Sequence, residues 1–262
     1  MAIASDPLAD IRNNLKLLKL YRMQEALDME LARAEKDNSP TTTVLQRLLS
    51  IEAASLIERR IERRIKESKL PERKILADFN FDFQTAIDKM QIMELSKLGF
   101  IERKQWLILA GSSGVGKSHI AKALLLICCK HLYRCRYTTA SEMLRNLLSG
   151  LADDTFDKKL KMYIRPQVLL IDEIGFDRLE QESARNASLF FKVIEGRYCK
   201  NSTILTTNID FKALGDYLGD PVITASLVDR MVHHAIIINI DGPSYRIYES
   251  KTLNRASVEK KK

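Results

Sequence analysis

The amino-acid sequence predicts an α/β protein: a five-stranded parallel sheet flanked by helices, preceded by a small all-helical domain. Three observations carry this. From Trp106 onward, apolar runs near 106–110, 134–138, 168–172, 202–207 and 235–240 alternate with helical patterns, the order of a parallel sheet with helices on both faces. Residues 1–70 are instead highly charged and helical in period. Between the first strand and the next helix lies Gly111-Ser112-Ser113-Gly114-Val115-Gly116-Lys117-Ser118, a complete G-x-x-x-x-G-K-S string.

The helical part divides at Asn38-Ser39-Pro40, with Thr41, Thr42 and Thr43 offering caps for the next helix. Before the break, Ile11, Leu15, Leu18, Met23, Leu27 and Leu31 trace an apolar stripe in steps of three and four, with one slip of five. After it come Leu45, Leu48, Leu49 and Leu56, then a block at 58–67 that alternates acid and base. That block reads equally well as internal pairing on a wet face or as arginines laid along a phosphate backbone. Pro71 ends the helix. The expected divisions are a helical domain at 1–70, a connector at 71–105, a nucleotide-binding domain at 106–248 and a basic tail at 249–262. Phe79, Phe81 and Phe83 in the connector either pack on a nucleotide base or dock the two domains, with docking preferred. The stretch 141–165 has room for two short helices.

The string at 111–118 implies nucleoside triphosphate binding. Its glycines turn backbone N–H groups onto phosphate oxygens, and the following helix adds its N-terminal partial charge. Lys117 would reach the β- and γ-phosphates, and the Ser118 hydroxyl would ligate magnesium. The run Val168-Leu169-Leu170-Ile171-Asp172-Glu173 delivers two carboxylates to the same sheet edge, because C-terminal strand ends face the ligand crevice. Asp172 is the expected magnesium ligand and Glu173 the group that polarises the attacking water. Asn208, ending the polar strand at 202–208, is a candidate for orienting that water or touching the γ-phosphate. Arg230 reads either as an arginine finger for a neighbouring subunit or as an intramolecular ion pair.

The net charge of +8 with a pI near 9.2 points to a polyanionic partner, most simply nucleic acid. Lys122 and Lys130 interrupt the richest apolar stretch, so no membrane span is expected, and the N-terminus lacks the regions of a signal peptide; a cytoplasmic location is expected. The cysteines at 128, 129, 135 and 199 form no C-x-x-C pair and read as buried free thiols rather than zinc ligands or disulfides. His233 and His234 read as interface or surface residues, since no carboxylate or cysteine sits at ligand spacing.

With these pieces assembled, the chain resembles the AAA+ ATPases of the initiator and helicase-loader branch, most closely the IstB-like transposition helpers. The stretches that carry the resemblance are Ile57-Glu58-Arg59-Arg60-Ile61-Glu62-Arg63-Arg64 before Lys69-Leu70-Pro71, the loop and first helix at 114–121, Leu170-Ile171-Asp172-Glu173-Ile174-Gly175, the sensor strand at 202–208, and Leu227-Val228-Asp229-Arg230-Met231-Val232-His233-His234 followed by Ile240-Asp241-Gly242-Pro243-Ser244-Tyr245-Arg246. Ser118 stands where the family usually has Thr, and Pro243 where it usually has Glu. The resemblance implies ATP and Mg²⁺ as ligands and ATP hydrolysis as the activity. It also implies homo-oligomers on double-stranded DNA with ATP sites at subunit interfaces, largely sequence-independent DNA binding, and a cognate transposase as partner. Arg230 matches the family's finger position. The paired helices of 141–165 match the insertion of the initiator branch, with Lys158, Lys159, Lys161 and Arg165 as candidate phosphate contacts. The chain ends soon after Arg246, so no C-terminal helical lid is expected and Arg246 receives no second-sensor role. A replicative helicase loader, a nucleotide-gated DNA scaffold with negligible turnover and a small-molecule P-loop kinase are the competing readings; no acceptor pocket or mobile lid is legible for the last.

Overall fold

A computed structural model of the chain describes residues 6–175, 184–209 and 221–259. Two compact units divide at Met1–Arg63 and Arg64–Lys262.

The first unit is helical: α1 (Pro7–Leu17), α2 (Tyr21–Asp37) and most of α3 (Thr41–Ser68). Its small core joins Leu15, Met23, Ala26, Leu27, Val44 and Leu48. The slip of five in the apolar stripe marks a helix break. Lys19 takes a left-handed φ of 60° between α1 and α2, Leu18 is exposed, and Met23 restarts the buried face. Ile11, Leu45, Leu49 and Leu56 are exposed, while Val44 takes the core place beside Leu48. Two carboxylates of the unit are buried, and one of them bonds α2 to α3. Glu52 of α3 accepts the backbone N–H groups of Arg22 (2.8 Å) and Met23 (3.1 Å), an anion at the N-terminus of α2, and is paired with Arg59 at 3.0 Å. Glu30 faces Arg47 at 3.6 Å and Arg33 at 3.8 Å. In the mixed-charge block, Arg64 pairs with Glu67 at 3.1 Å.

The second unit is the predicted α/β layer structure. Strands β1 (Trp106–Gly111), β2 (Cys135–Thr139), β3 (Val168–Ile174), β4 (Ser202–Thr207) and β5 (Ala235–Ile240) form one all-parallel sheet in the order β2-β3-β4-β1-β5. The short α4 (Lys89–Ser96) and α5 (Gly99–Glu102) precede it, α6 (Lys117–Lys130) follows β1, α7 (Ala140–Ala152) and α8 (Phe156–Ile164) follow β2, and α9 (Ala184–Arg197) precedes β4. Helix α10 (Pro221–Val232) leads into β5, and α11 (Tyr245–Glu259) comes last. Alternate side chains of β1, β3 and β4 (Ile108, Leu169, Ile171 and Leu205) bury with Met143, Leu144, Val193, Phe190, Leu227 and Met231 from α7, α9 and α10. Helix α6 packs against the same strands with Ile120 and Leu124 fully buried. The expected pair of helices within 141–165 is α7 and α8, and a capping box between Thr139 and Glu142 starts the first. The stretch expected as a basic tail from residue 249 is helical to Glu259, and that helix begins before Arg246.

The largest fully buried side chain is Arg197 at the end of α9. Its guanidinium donates to the carbonyls of Tyr163 (2.8 Å), Ile164 (3.1 Å), Pro166 (2.8 Å) and Ser202, and to Thr203 Oγ1 (2.9 Å). Burial pulls its pKa down, and these acceptors hold the charge in place. It ties α8, α9 and β4 through polar backbone that would otherwise be stranded.

Candidate nucleotide site and basic groove

The phosphate loop joins β1 to α6 at the C-terminal edge of the sheet. Gly114 (φ +83°) and Gly116 (φ +99°) adopt left-handed backbone that side chains disfavour. A Cβ at Gly116 would stand 2.5 Å from the Phe79 ring, so the connector aromatic closes directly over the loop. Gln84 clips the loop to the C-terminal segment, its amide donating to Val115 O (3.2 Å) and Pro243 O (3.3 Å). Tyr245 N–H donates to Gly114 O at 2.9 Å.

Around this loop opens a cleft of about 470 Å³, lined by Phe79, Asn80, Phe83, residues 113–119, Lys122, Glu173, Thr206, Tyr245 and Arg246 among others. Lys117, 6% exposed, donates to Gly111 O (2.8 Å) and Ser112 O (2.7 Å). Burial lowers its pKa, Asp172 opposes that shift, and the charge of Arg246 adds to it.

Asp172 is fully buried and wrapped by donors. Ser118 Oγ (2.8 Å) and Thr206 Oγ1 donate to Oδ1, Tyr137 Oη (3.3 Å) donates to Oδ2, and Lys122 Nζ lies 3.7 Å from Oδ2. Burial, then the neighbouring charges of Asp172 and Glu173, push the Tyr137 phenol pKa up, which keeps it a donor. Glu173 differs. The β3–β4 register shifts between Ile171 and Ile174, and Glu173 sits in that bulge with φ +63°, its side chain exposed into the cleft. Its N–H donates to Thr206 Oγ1 at 2.9 Å.

The structure thus brings Lys117, Ser118, Asp172 and Glu173 together. Asn208 is exposed beyond the end of β4, beside Gly175, and outside the residues lining the cleft; Thr206 is the strand residue that touches Asp172. Arg230 also lies outside that lining. Its guanidinium bonds Ser226 O at 3.0 Å and the Ser226 hydroxyl, sits over Phe191 (4.9 Å) and Tyr198 (5.9 Å), and is 3.9 Å from Glu195. Two of the connector aromatics, Phe79 and Phe83, line the cleft. Phe79 meets His119 edge-on (5.4 Å) and Phe83 packs on Tyr245 (5.3 Å) and Tyr248 (4.7 Å), with Phe79, His119, Phe83 and Tyr245 at the cleft within the second unit. Sequence reasoning missed Tyr137, Lys122, Thr206 and the approach of Arg246.

The candidate DNA contacts divide. Lys158, Lys161 and Arg165 line a groove of about 380 Å³ together with Arg64, Arg134 and Glu67. Lys159 is turned away from that set, bonded to Asp153 (2.9 Å) and Ser149 (3.0 Å). The Asp153 carboxyl, bonded to Thr155 and Lys159, is held down at about 2.

Residues 13–253 match the family described as IstB-like ATP binding protein. The chain belongs to this family. It is 33% identical over 237 residues to an insertion sequence IS232 putative ATP-binding protein of Bacillus thuringiensis subsp. berliner, covering 90% of this chain and 94% of the relative. It is 36% identical over 218 residues to an insertion sequence IS5376 putative ATP-binding protein of Geobacillus stearothermophilus, covering 83% and 86%. Among solved structures, DnaI matches with a TM-score of 0.54 at 23% identity over 64% of this chain and 91% of that one. AMPPCP-bound DnaA from Aquifex aeolicus matches at 0.52 and 20% identity over 69% and 55%. These likenesses show the fold, a AAA+ P-loop core. Among the described residues no helix is long and apolar enough to cross a membrane.

Proposed function

We propose that the protein is a Mg²⁺-dependent ATPase of a transposition system, which assembles on double-stranded DNA, engages the cognate transposase and disassembles on hydrolysis. The insertion-sequence relatives support the biological setting. The observation that carries the chemistry is the contrast between two adjacent carboxylates, Asp172 buried among four donors and Glu173 bulged into the cleft.

The loop glycines leave room for phosphate oxygens against backbone N–H groups, and Lys117 supplies the cation beside them. Ser118 Oγ and Asp172 Oδ1, 2.8 Å apart, are hard oxygen donors of the kind magnesium takes. Bound there, the ion would offset charge building on the phosphates. Phe79, Asn80, Phe83 and Tyr245 would hold the base, and Arg246 would approach the phosphates from α11. Glu173 would take the proton of the attacking water, its direction set by the Thr206 bond to its own peptide. Arg230, outside its own cleft, would serve the phosphates of a neighbouring subunit. Lys158, Lys161, Arg165, Arg64 and Arg134 would face DNA phosphates, giving sequence-independent, salt-sensitive binding.

A mixing experiment tests this. Glu173→Gln should bind ATP and DNA yet turn over at least about a hundredfold slower. Arg230→Ala should lose about a thousandfold or more. Equal mixtures should recover roughly a quarter of wild-type turnover, because at about one interface in four an intact Glu173 meets an intact Arg230 of its neighbour. Undiminished hydrolysis by Glu173→Gln, or mixtures as inactive as their parts, overturns the assignment. A scaffold with negligible turnover would show no hydrolysis in the wild type.

A further inference from the structure

Far along the chain from one another, Cys199, His233 and His234 meet on the surface of the second unit. Cys199 lies in the turn between α9 and β4, and the two histidines lie in the turn between α10 and β5. One donor atom from each falls within 4.8 Å of the other two, and all three residues are exposed. From this geometry we propose that Cys199, His233 and His234 form a site for a thiophilic transition-metal ion, Zn²⁺ in particular.

The donor set selects the ion. One thiolate and two imidazoles suit Zn²⁺ and its cobalt surrogate, whereas Mg²⁺ and Ca²⁺ take oxygen ligands. With bonds of about 2.3 Å to sulfur and about 2.0–2.1 Å to nitrogen, tetrahedral ligand atoms stand about 3.4–3.6 Å apart. Closing from 4.8 Å asks for about an ångström of side-chain movement, which exposed rotamers supply. Three protein ligands leave the fourth position to water.

The frame behind the donors is set. Cys199 holds a left-handed φ of 54°, and Lys200 and Asn201 N–H groups both donate to Arg197 O, at 3.0 and 3.1 Å. His233 N–H donates to Asp229 O (3.0 Å), and His234 O accepts from Trp106 N–H (3.4 Å). The two imidazole centroids are 3.9 Å apart. Tyr198 Oη lies 2.7 Å from His233 Nδ1. With that nitrogen protonated and donating to the phenol, Nε2 keeps its lone pair for the ion, the kind of outer hydrogen bond that orients metal-bound histidines. The other three cysteines are buried, so Cys199 is the thiol that a metal in solution reaches. A bound ion would tie the end of α10, which carries Arg230, to the turn that carries Tyr198.

The test uses the full, tag-free chain, free of nucleotide so that the phosphate-loop site holds no divalent ion. Co²⁺ titration should show one ion per chain, with the thiolate charge-transfer band and tetrahedral d–d absorption, and Zn²⁺ should displace it. Cys199→Ser should abolish the charge-transfer band. His233→Asn and His234→Asn should each weaken uptake about a hundredfold or more, and Tyr198→Phe about tenfold. Each variant should melt as the metal-free wild type does, and Zn²⁺ should raise the Tm of the wild type and, by less, of Tyr198→Phe, but not that of Cys199→Ser or the two histidine variants. Absence of thiolate–cobalt absorption, or equal uptake by wild type and both histidine variants, overturns the proposal.

Discussion

Thr206 is the residue through which the two carboxylates of β3 are held, and replacing it by valine keeps the shape of the side chain while deleting the hydroxyl. Two bonds go at once: the one Thr206 Oγ1 donates to Asp172, and the one it accepts from the Glu173 N–H at 2.9 Å. A hydrogen bond to a charged group contributes about 1.5–3 kcal/mol, and a buried N–H left unpaired costs about 1–3 kcal/mol. Asp172 keeps Ser118 and Tyr137, so part of the first loss is absorbed. The expected net is about 3 kcal/mol, read by urea unfolding as a lower midpoint at unchanged m-value. For a unit of this size the Tm should fall by about 6–12 °C. Turnover should fall about tenfold or more, since 1.36 kcal/mol of misdirected Glu173 is a factor of ten. ATP affinity should hold within about threefold, because the phosphate loop is untouched. Thr206→Ser should restore both quantities. A Thr206→Val protein with wild-type midpoint and wild-type kcat would refute the reasoning, and loss of stability without loss of turnover would leave Thr206 a merely structural residue.

Arg197→Met should cost about 3–5 kcal/mol in urea unfolding, because four carbonyls and the Thr203 hydroxyl lose their donor in the core; Arg197→Lys should recover little of it, lacking the planar fork. In the basic groove, Lys158→Ala with Lys161→Ala should lower the log–log salt slope of duplex DNA binding by about 2, at about 0.9 per phosphate contact. Lys159→Ala should leave the slope unchanged, and equal effects of the two changes would disprove the division of that face.

The strands were legible because a doubly buried parallel sheet writes continuous apolar runs: Val168 to Ile171 are fully buried, as are Leu107 to Leu109. The phosphate loop and Asp172-Glu173 were legible because their chemistry dictates residue type at fixed spacing. What escaped depends on distant pairings that no local period records. Thr206 reads as one more β-branched strand residue until β4 lies against β3. Phe79 and Gln84 lie some thirty positions before the loop they cover, and polarity in the helical unit misled in the same way. Glu52, between Ile51 and Ala53 and ahead of the mixed block, carries no local sign of its role, yet it is buried as the anion at the start of α2. His233 and His234 had no partner at ligand spacing because Cys199 reaches them through the sheet, by way of β4 and β5 flanking β1.

Neighbouring acids on one strand need not share a task, and burial decides which does what. A ligand for a cation gains from being fixed, because a rigid oxygen is already desolvated and aimed. Asp172, fully buried among Ser118, Thr206, Tyr137 and Lys122, meets that demand. A proton acceptor needs room to swing and solvent to pass its proton on. A regular strand would point Glu173 to the face opposite Asp172. The bulge breaks that alternation, and the positive φ re-aims the side chain into the cleft while the Thr206 hydroxyl grips the peptide behind it. One threonine therefore serves both acids, stiffening the buried one directly and the exposed one through its backbone. On this account we propose Thr206 for the sensing role rather than Asn208, which lies exposed just beyond the end of β4 beside Gly175. Asn208→Ala should then cost less turnover than Thr206→Val in the same assay, and the opposite order would return the sensing role to Asn208.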